Sequence, residues 1–502
     1  MYDYIVIGAG SAGCVLASRL TENPSTNVLL VEAGPPDRRR EIRIPAAFSR
    51  LFKSPLDWNF TTEPQGQLNG RRLYWPRGKV LGGSSSMNAM IYLRGRRSDF
   101  DAWQAAGNCG WGYDEVLPFF EAAEKQLQVE TLKDVNPLSR AFVAAAKQSG
   151  VPETDDLTPC RPGAGFYRVT QSKGRRRSAA DAYLKPALRR GNLTVWTGIH
   201  VTRVLIENGR ATGIEYMQAG SRGRVRASRE VILAAGAIGS PQLLLLSGVG
   251  PRAELKALGV PVAMDLAGVG ENLQDHLAVG ESYCCREPVS LSGGETFIGM
   301  LNYVFRRRGP LASNVAEAGA FVKTRSAAAD CDVQFLFAPV FYIDHGFGNP
   351  EGHGFSIGPT LLSPRSRGRI RLRSADPMEA PAIDPAYLSE RADLAPLVEG
   401  VKLGRKIASA QALDRFRGAP VFEQGDAEEH IRARAETLYH PVGTCKMGVD
   451  AMSVVDSRLQ VYGIAGLRVA DASIMPVTVG ANTQAATMMI GERAARMIRD
   501  DG

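Results

Sequence analysis

Tyr2-Asp-Tyr-Ile-Val-Ile7, Gly8-Ala9-Gly10-Ser11-Ala12-Gly13, a run to Leu20 and Asn27-Val-Leu-Leu-Val-Glu32-Ala33-Gly34 read in order as strand, glycine turn, helix and strand. Gly8 suits the tight turn, Gly10 lets backbone approach a pyrophosphate, and Gly13 lets the helix pack closely on the strand. The unpaired N–H groups and positive dipole end at such a helix start attract phosphate without needing a lysine. Glu32 ends the second strand where a ribose partner is expected, and a carboxylate there repels a 2′-phosphate, which disfavours NADP. A glycine-rich turn alone also arises for packing, but the β-branched flank, the helical period of 11–20 and the spacing to Glu32 favour a dinucleotide. The motif leaves NAD and FAD both open.

The length of 502 residues predicts two to four domains. Basic residues outnumber acidic ones, 60 to 52, for a net charge of +8. Arginines cluster at 38–40, 94–97, 175–177, 306–308 and 365–373. They could dock on anionic lipid, although solvated loop ends are the simpler reading. No aromatic residues interleave them, so nucleic acid is not expected as a partner. The seven cysteines form no C-x-x-C and no grouping with histidine, so no metal site is expected and a reduced, cytoplasmic compartment fits. Met1 runs straight into the first strand, so no leader is expected. Val231–Pro251 is uncharged over a membrane-spanning length, yet its glycines, prolines and glutamine read as a buried strand followed by a helix.

Further along, Gly82-Gly83-Ser84-Ser85-Ser86 sits between apolar flanks, which predicts a close backbone approach to a ligand, followed by a helix-like run. Residues 99–125 and 137–150 are expected to be helical. Leu193–Trp196, His200–Ile206, Thr212–Tyr216 and 230–236 are expected as strands. A strand ending at Asp471, a turn at Asn482-Thr-Gln484 and a helix over Ala485–Arg499 complete the chain.

Gly78-Lys-Val-Leu-Gly-Gly-Ser-Ser through Asn88 to Asp101, and Gly236-Ala-Ile-Gly-Ser-Pro-Gln-Leu-Leu to Ser247-Gly-Val-Gly250, resemble both signatures of the glucose–methanol–choline (GMC) oxidoreductases. With Asn272-Leu-Gln-Asp-His276 and His440-Pro-Val-Gly-Thr, the resemblance spans essentially the whole chain and implies FAD. It implies an α/β fold overall, a Rossmann-like FAD domain interleaved with a substrate domain that holds an antiparallel sheet and helices. The expected boundaries are 1–100, 192–275 and 455–502 for the first, 101–191 and 276–454 for the second.

Carried over by resemblance, Gly8, Gly10, Ser11, Ala12, Gly13, Glu32 and Ala33 hold the ADP half and Val201 touches adenine. Gly82, Gly83, Asn88, Ala89 and Met90 approach the flavin. Ala235, Gly236, Asp471, Ala472, Thr483 and Gln484 complete the site. Some relatives attach FAD through a histidine where this chain has Met87, so noncovalent FAD is expected.

The resemblance also makes His440 and Asn482 the catalytic pair, an imidazole to take the hydroxyl proton and an amide to hold the developing alkoxide. The helix after Asn482 would bring its positive end to the flavin. Trp58, Glu317, His345 and Tyr439 are candidate pocket residues, and the first two with Tyr439 could hold a quaternary ammonium. His276 is a candidate supporting residue.

Within the family the chain is most similar to bacterial alkanol and choline dehydrogenases. The implied activity is oxidation of a primary, aliphatic alcohol, with a quinone or other non-oxygen acceptor. An oxidase using O2, a choline dehydrogenase and an inactive flavin-binding protein remain alternatives. The expected location is cytoplasmic, with peripheral attachment to the inner membrane face open and the oligomeric state unassigned. Two departures stand out. A loop usual in the family is replaced by Lys125–Val135, and 156–163 is altered; loss of the loop implies a more open site, looser specificity or altered oxygen access. A photodecarboxylase branch carries cysteine where this chain has Val279.

Overall fold

A parallel sheet runs in the order Leu193–Thr197, Val28–Glu32, Tyr2–Ile7, Ser221–Leu233, Leu467–Val469, with the apolar residues of its inner strands at the centre. Every residue of Val28–Glu32 is buried, as expected of a strand covered on both faces. Ile5 pairs with Leu29 on one side and Val231 on the other, and Val231 pairs in turn with Leu467. Ser221–Leu233 is longer than its neighbours. Its first half pairs antiparallel with Arg210–Gln218, which pairs with His200–Glu207. The helices Ser11–Leu20 and Gln484–Asp501 pack against each other beside this sheet. The computed structural model describes residues 1–292, 296–325, 328–348 and 350–501.

A second, antiparallel sheet runs in the order Arg417–Pro420, Glu281–Cys285, Gly354–Leu361, Val333–Ala338, Ala318–Val322, Gly163–Phe166. Its period of two decides what faces what. Phe335 and Phe337 turn toward the helices Pro137–Gln148 and Leu394–Ala408, with Phe337 stacked on Phe142 at 4.7 Å. Leu336, Ala338, Ser356 and Gly358 line the large cavity instead.

Three local expectations change. The helix expected over 99–125 is two helices, Arg97–Ala105 and Tyr113–Leu127, because Gly107 and Gly110 adopt φ of +95° and +82° between them. Phe100, Trp103, Trp111 and Phe120 from this region bury in the core of the parallel sheet, not against the second sheet. After the 3-10 turn Gly83–Ser86 the chain forms the short strand Ile91–Tyr92, paired with Arg168–Val169, where a helix was expected. Val231–Pro251 is the end of a strand, the helix Gly236–Leu246 and the short strand Val249–Gly250. Among the described residues no helix is long and apolar enough to cross a membrane.

Candidate active site

One cavity of about 700 Å³ collects residues from both sheets. Its glycine loop fits a pyrophosphate. A Cβ on Gly13 would lie 1.8 Å from the Gly8 carbonyl oxygen, so that position is closed by the protein itself. A Cβ on Gly10 would meet nothing nearer than the Ala234 carbonyl oxygen at 3.9 Å, so the space beside it is open to a ligand. The second glycine segment is tied to the first: the Gly82 N–H donates to the Ala9 carbonyl at 2.8 Å, and a Cβ on Gly83 would lie 2.7 Å from Gly10 Cα.

Glu32 accepts one N–H on each carboxylate oxygen, from Ala9 at 2.9 Å and Gly34 at 2.8 Å. Each oxygen keeps a lone pair toward the cavity for a ribose hydroxyl. Burial pushes its carboxyl up to about 7, so two hydroxyl donors would stabilise the ionised form. Ser11, Ala12, Ala33, Val201, Ala235, Gly236, Ala472, Thr483 and Gln484 also line the cavity. These features fit the ADP half of FAD. Asp471 lines it too, but its carboxylate is already engaged by the Gly236 N–H at 2.8 Å, Ser240 Oγ at 2.6 Å and the Ser473 N–H at 2.8 Å. It fixes the start of the helix Gly236–Leu246 from inside the site.

At the flavin end, Asn88 donates to Gln484 Oε1 and accepts from Arg176 at 2.7 Å and from the Met90 N–H at 3.1 Å. Arg176, in the arginine cluster at 175–177, is not a solvated surface residue. It is buried, donating also to the carbonyls of Ile42 and Ser85, and burial lowers its guanidinium to about 9. Ala89 is held by Asn314, whose side chain donates to its carbonyl at 3.0 Å. Met87, Met90 and Val279 line the cavity, whereas no residue of 125–136 does.

His440 and Asn482 meet at the cavity wall, Asn482 Nδ2 standing 3.2 Å from His440 Nε2. Gln334 Nε2 donates to Asn482 Oδ1 at 3.2 Å, which turns the amide N–H toward the imidazole. The network therefore assigns an unprotonated Nε2 to His440 and places its proton on Nδ1, which faces His276 Nδ1 at 2.9 Å. His276 completes the relay with its own Nε2 at 3.4 Å from Thr478 Oγ1. Burial, His276 and Arg77 hold the His440 pKa well below the ordinary histidine value, and burial with Arg96 lowers His276 to about 4. Asp275, which sequence reasoning passed over, accepts the His440 backbone N–H at 2.7 Å and the Thr437 hydroxyl at 2.6 Å.

The four pocket candidates separate. Tyr439 and His345 stay in the pocket, joined at 2.7 Å between the phenol and Nδ1, with Tyr342 2.8 Å from the same phenol. Trp58 lines the cavity with its ring beside His200 at 5.8 Å and the Lys79 ammonium over it at 4.6 Å. Glu317 leaves the pocket altogether. It is buried behind the second sheet, accepting from the Asn136 N–H, Ser139 and Ser313 at 2.8, 2.7 and 2.6 Å. Phe48, Phe52, Met87, Val315 and Ala338 form one apolar cluster with Tyr439.

The GMC oxidoreductase N-terminal and C-terminal domain models match residues 2–278 and 364–491. An alcohol dehydrogenase [acceptor] of Pseudomonas putida is 45% identical, over 99% of this chain and 96% of its own. The mitochondrial choline dehydrogenase of Homo sapiens is 42% identical, over 99% of this chain and 90% of its own. The crystal structure of pyridoxine 4-oxidase from Mesorbium loti superposes with a TM-score of 0.91 at 33% identity, covering 100% of this chain and 99% of that one. Formate oxidase of Aspergillus oryzae does so with a TM-score of 0.92 at 26% identity, over 100% and 98%. Two matching domain models and relatives aligned along almost its entire length show that the chain belongs to the GMC family, FAD-dependent oxidoreductases acting on CH–OH donors.

Proposed function

We propose that the protein oxidises primary aliphatic alcohols to aldehydes and passes the electrons to a quinone or another non-oxygen acceptor. The observation that carries this is the unprotonated His440 Nε2 facing Asn482 in a cavity that also holds the apolar cluster of Phe48, Phe52, Val315 and Ala338. A substrate oxygen placed at this pair donates its proton to His440 Nε2 and accepts the Asn482 N–H, which stabilises the charge as it grows. The depressed pKa keeps Nε2 free at neutral pH, and His276 accepts from the opposite edge of the ring once it becomes cationic. Bound FAD supplies the two-electron acceptor for the hydride leaving the α-carbon.

Noncovalent attachment is part of the proposal, since Met87 stands where the covalent relatives carry the histidine that bonds the flavin. So are the interleaved domain boundaries given above, with the helices within 97–127 joined to the cofactor part because their aromatic residues share its core. A cytoplasmic location is supported by seven cysteines that are all free thiols. Aliphatic alcohols are favoured over choline because Glu317 lies outside the cavity and Glu436, which lines it, is paired through Oε1 with the Arg71 guanidinium.

Anaerobic mixing of FAD-loaded protein with aliphatic alcohols, choline and sorbose, followed by air, tests this. Bleaching by aliphatic alcohols with slow recovery in air is expected. Rapid recovery with peroxide makes the protein an oxidase, bleaching by choline alone moves the substrate, and no bleaching leaves a flavin-binding protein without turnover.

A further inference from the structure

The helix Phe297–Arg306 exposes Met300, Leu301, Val304 and Phe305, with Val304 and Phe305 57% and 79% exposed. Their spacing puts them on one side of the helix. Tyr303 faces inward, buried, and its hydroxyl donates to the Arg43 carbonyl at 3.2 Å. The helix is thus anchored by its inward side, and its outward side is uncovered by the described residues.

Three basic segments far apart in sequence converge around it. Arg306–Arg308 follow the helix directly, with Arg307 over the Tyr303 ring at 5.0 Å. A Cβ on Gly174 would lie 2.3 Å from the Arg307 carbonyl oxygen, which brings Lys173 and Arg175 alongside. The Arg176 N–H donates to the Arg43 carbonyl at 3.3 Å, which brings in the exposed Arg38, Arg39 and Arg40. Among the described residues, Glu41 pairs with Arg39 at 2.9 Å and Asp37 with Lys185 at 2.5 Å, and Asp134 accepts the Gly309 N–H at 3.3 Å.

We infer that this helix and its basic fringe form a docking surface for an anionic phospholipid bilayer, lying in the interface without crossing it. An apolar helical face rimmed by cations is the pattern such insertion requires. A second copy of the chain fits poorly, because a two-fold contact would set the arginine fringe against itself. The surface also adjoins the cavity wall. Pro45–Leu51 packs on Pro310–Ala312, and Phe48 before the helix and Val315 after it both line the cavity. Docking would hold the cavity's flank at the bilayer, where a lipophilic alcohol or acceptor concentrates. Vesicle binding does not rest on the alcohol chemistry, so either reading can fail alone.

The test is sedimentation of the FAD-loaded chain with vesicles of mixed phosphatidylglycerol and phosphatidylcholine, against phosphatidylcholine alone. The wild type is expected to bind the anionic vesicles and release in high salt. Leu301→Ser/Phe305→Ser and Arg306→Glu/Arg308→Glu are each expected to weaken partitioning roughly tenfold or more while the flavin spectrum and the turnover of a water-soluble alcohol persist. Phe305→Trp is expected to shift its emission to the blue on mixing with anionic vesicles. No wild-type binding, binding unaltered by both double variants, or an unshifted tryptophan overturns the inference. A dimer abolished by Leu301→Ser/Phe305→Ser without vesicle binding would assign the face to a second copy.

Discussion

His276 Nδ1 stands 2.9 Å from His440 Nδ1, two buried imidazoles edge to edge, 164 residues apart in the chain. Only one of the facing nitrogens can carry the proton, and the Asn482 amide on the far side of His440 decides which. Replacing His276 with leucine leaves the His440 N–H without an acceptor, which costs about 1–3 kcal/mol. The rate of flavin reduction should fall about 10- to 100-fold. The acid limb should move to higher pH, since His276 is one of the groups that lower the His440 pKa. His276→Asn, which keeps an acceptor, should restore part of the rate. An unmoved pH profile in stopped-flow reduction would show that the ring only fills space.

The same burial makes a stability prediction. Above pH 6.5 His276 is neutral in folded and unfolded chains alike. Below it the unfolded imidazole binds a proton that the folded one refuses until about pH 4, so this group's contribution to stability is lost across that interval as pH falls. Thermal melts of wild type and His276→Asn from pH 7 to 4 should converge toward the acid end.

His440→Ala should keep the flavin spectrum and lose roughly 10²–10⁴-fold in reduction rate, as expected for removal of a general base. Asn482→Ala should lose about 10²–10³-fold through the missing N–H to the alkoxide. An unchanged rate in His440→Ala would place the base elsewhere.

Gly10→Ala and Gly13→Ala should part company. The Gly10 methyl meets no protein atom within 3.9 Å, so that variant should fold and purify with little FAD, read from the flavin-to-protein absorbance ratio. The Gly13 methyl would sit 1.8 Å from a carbonyl oxygen and should cost the fold itself, read as loss of soluble protein.

Glu317→Gln turns an acceptor into a donor amid the Asn136 N–H and two serine hydroxyls, costing about 1–3 kcal/mol. The melting temperature should drop while KM for alcohols and for choline stays put. A selective loss of choline binding would return Glu317 to the pocket.

The nucleotide half was legible because its rules are local: β-branched flanks, glycine spacing and Glu32 all fall within residues 2–34. That His440 and Asn482 come together at the cavity wall was legible only through resemblance, for nothing near either residue in the sequence marks the pairing. What escaped depended on contacts between distant segments. Arg176 sits between two other arginines and reads as surface until the Gly82–Ser86 turn folds over it. Glu317 and Trp58 have the chemistry of a cation pocket, but Glu317 is taken by Asn136, Ser139 and Ser313 outside the cavity, and the Trp58 ring already carries the Lys79 ammonium. Asp275 stands beside His276 in a recognised motif, yet its grip on the His440 backbone needs the two loops to be docked. The helix break at Gly107–Gly112 rests on the positive φ of Gly107 and Gly110, which the helical periodicity on either side of it does not show.

Leu467–Val469 is a strand of the parallel sheet, pairing with the strand that also pairs with Tyr2–Ile7, and Gln484–Asp501 packs on the first helix. During synthesis the apolar edge of Ser221–Leu233 therefore waits for partners more than two hundred residues away. Such long-range closure is slow and leaves strand edges exposed. The nascent chain cannot complete its cofactor core on the ribosome until its last strand and helix have emerged. Expression yield should consequently respond to chaperone supply and riboflavin more than to any single surface substitution.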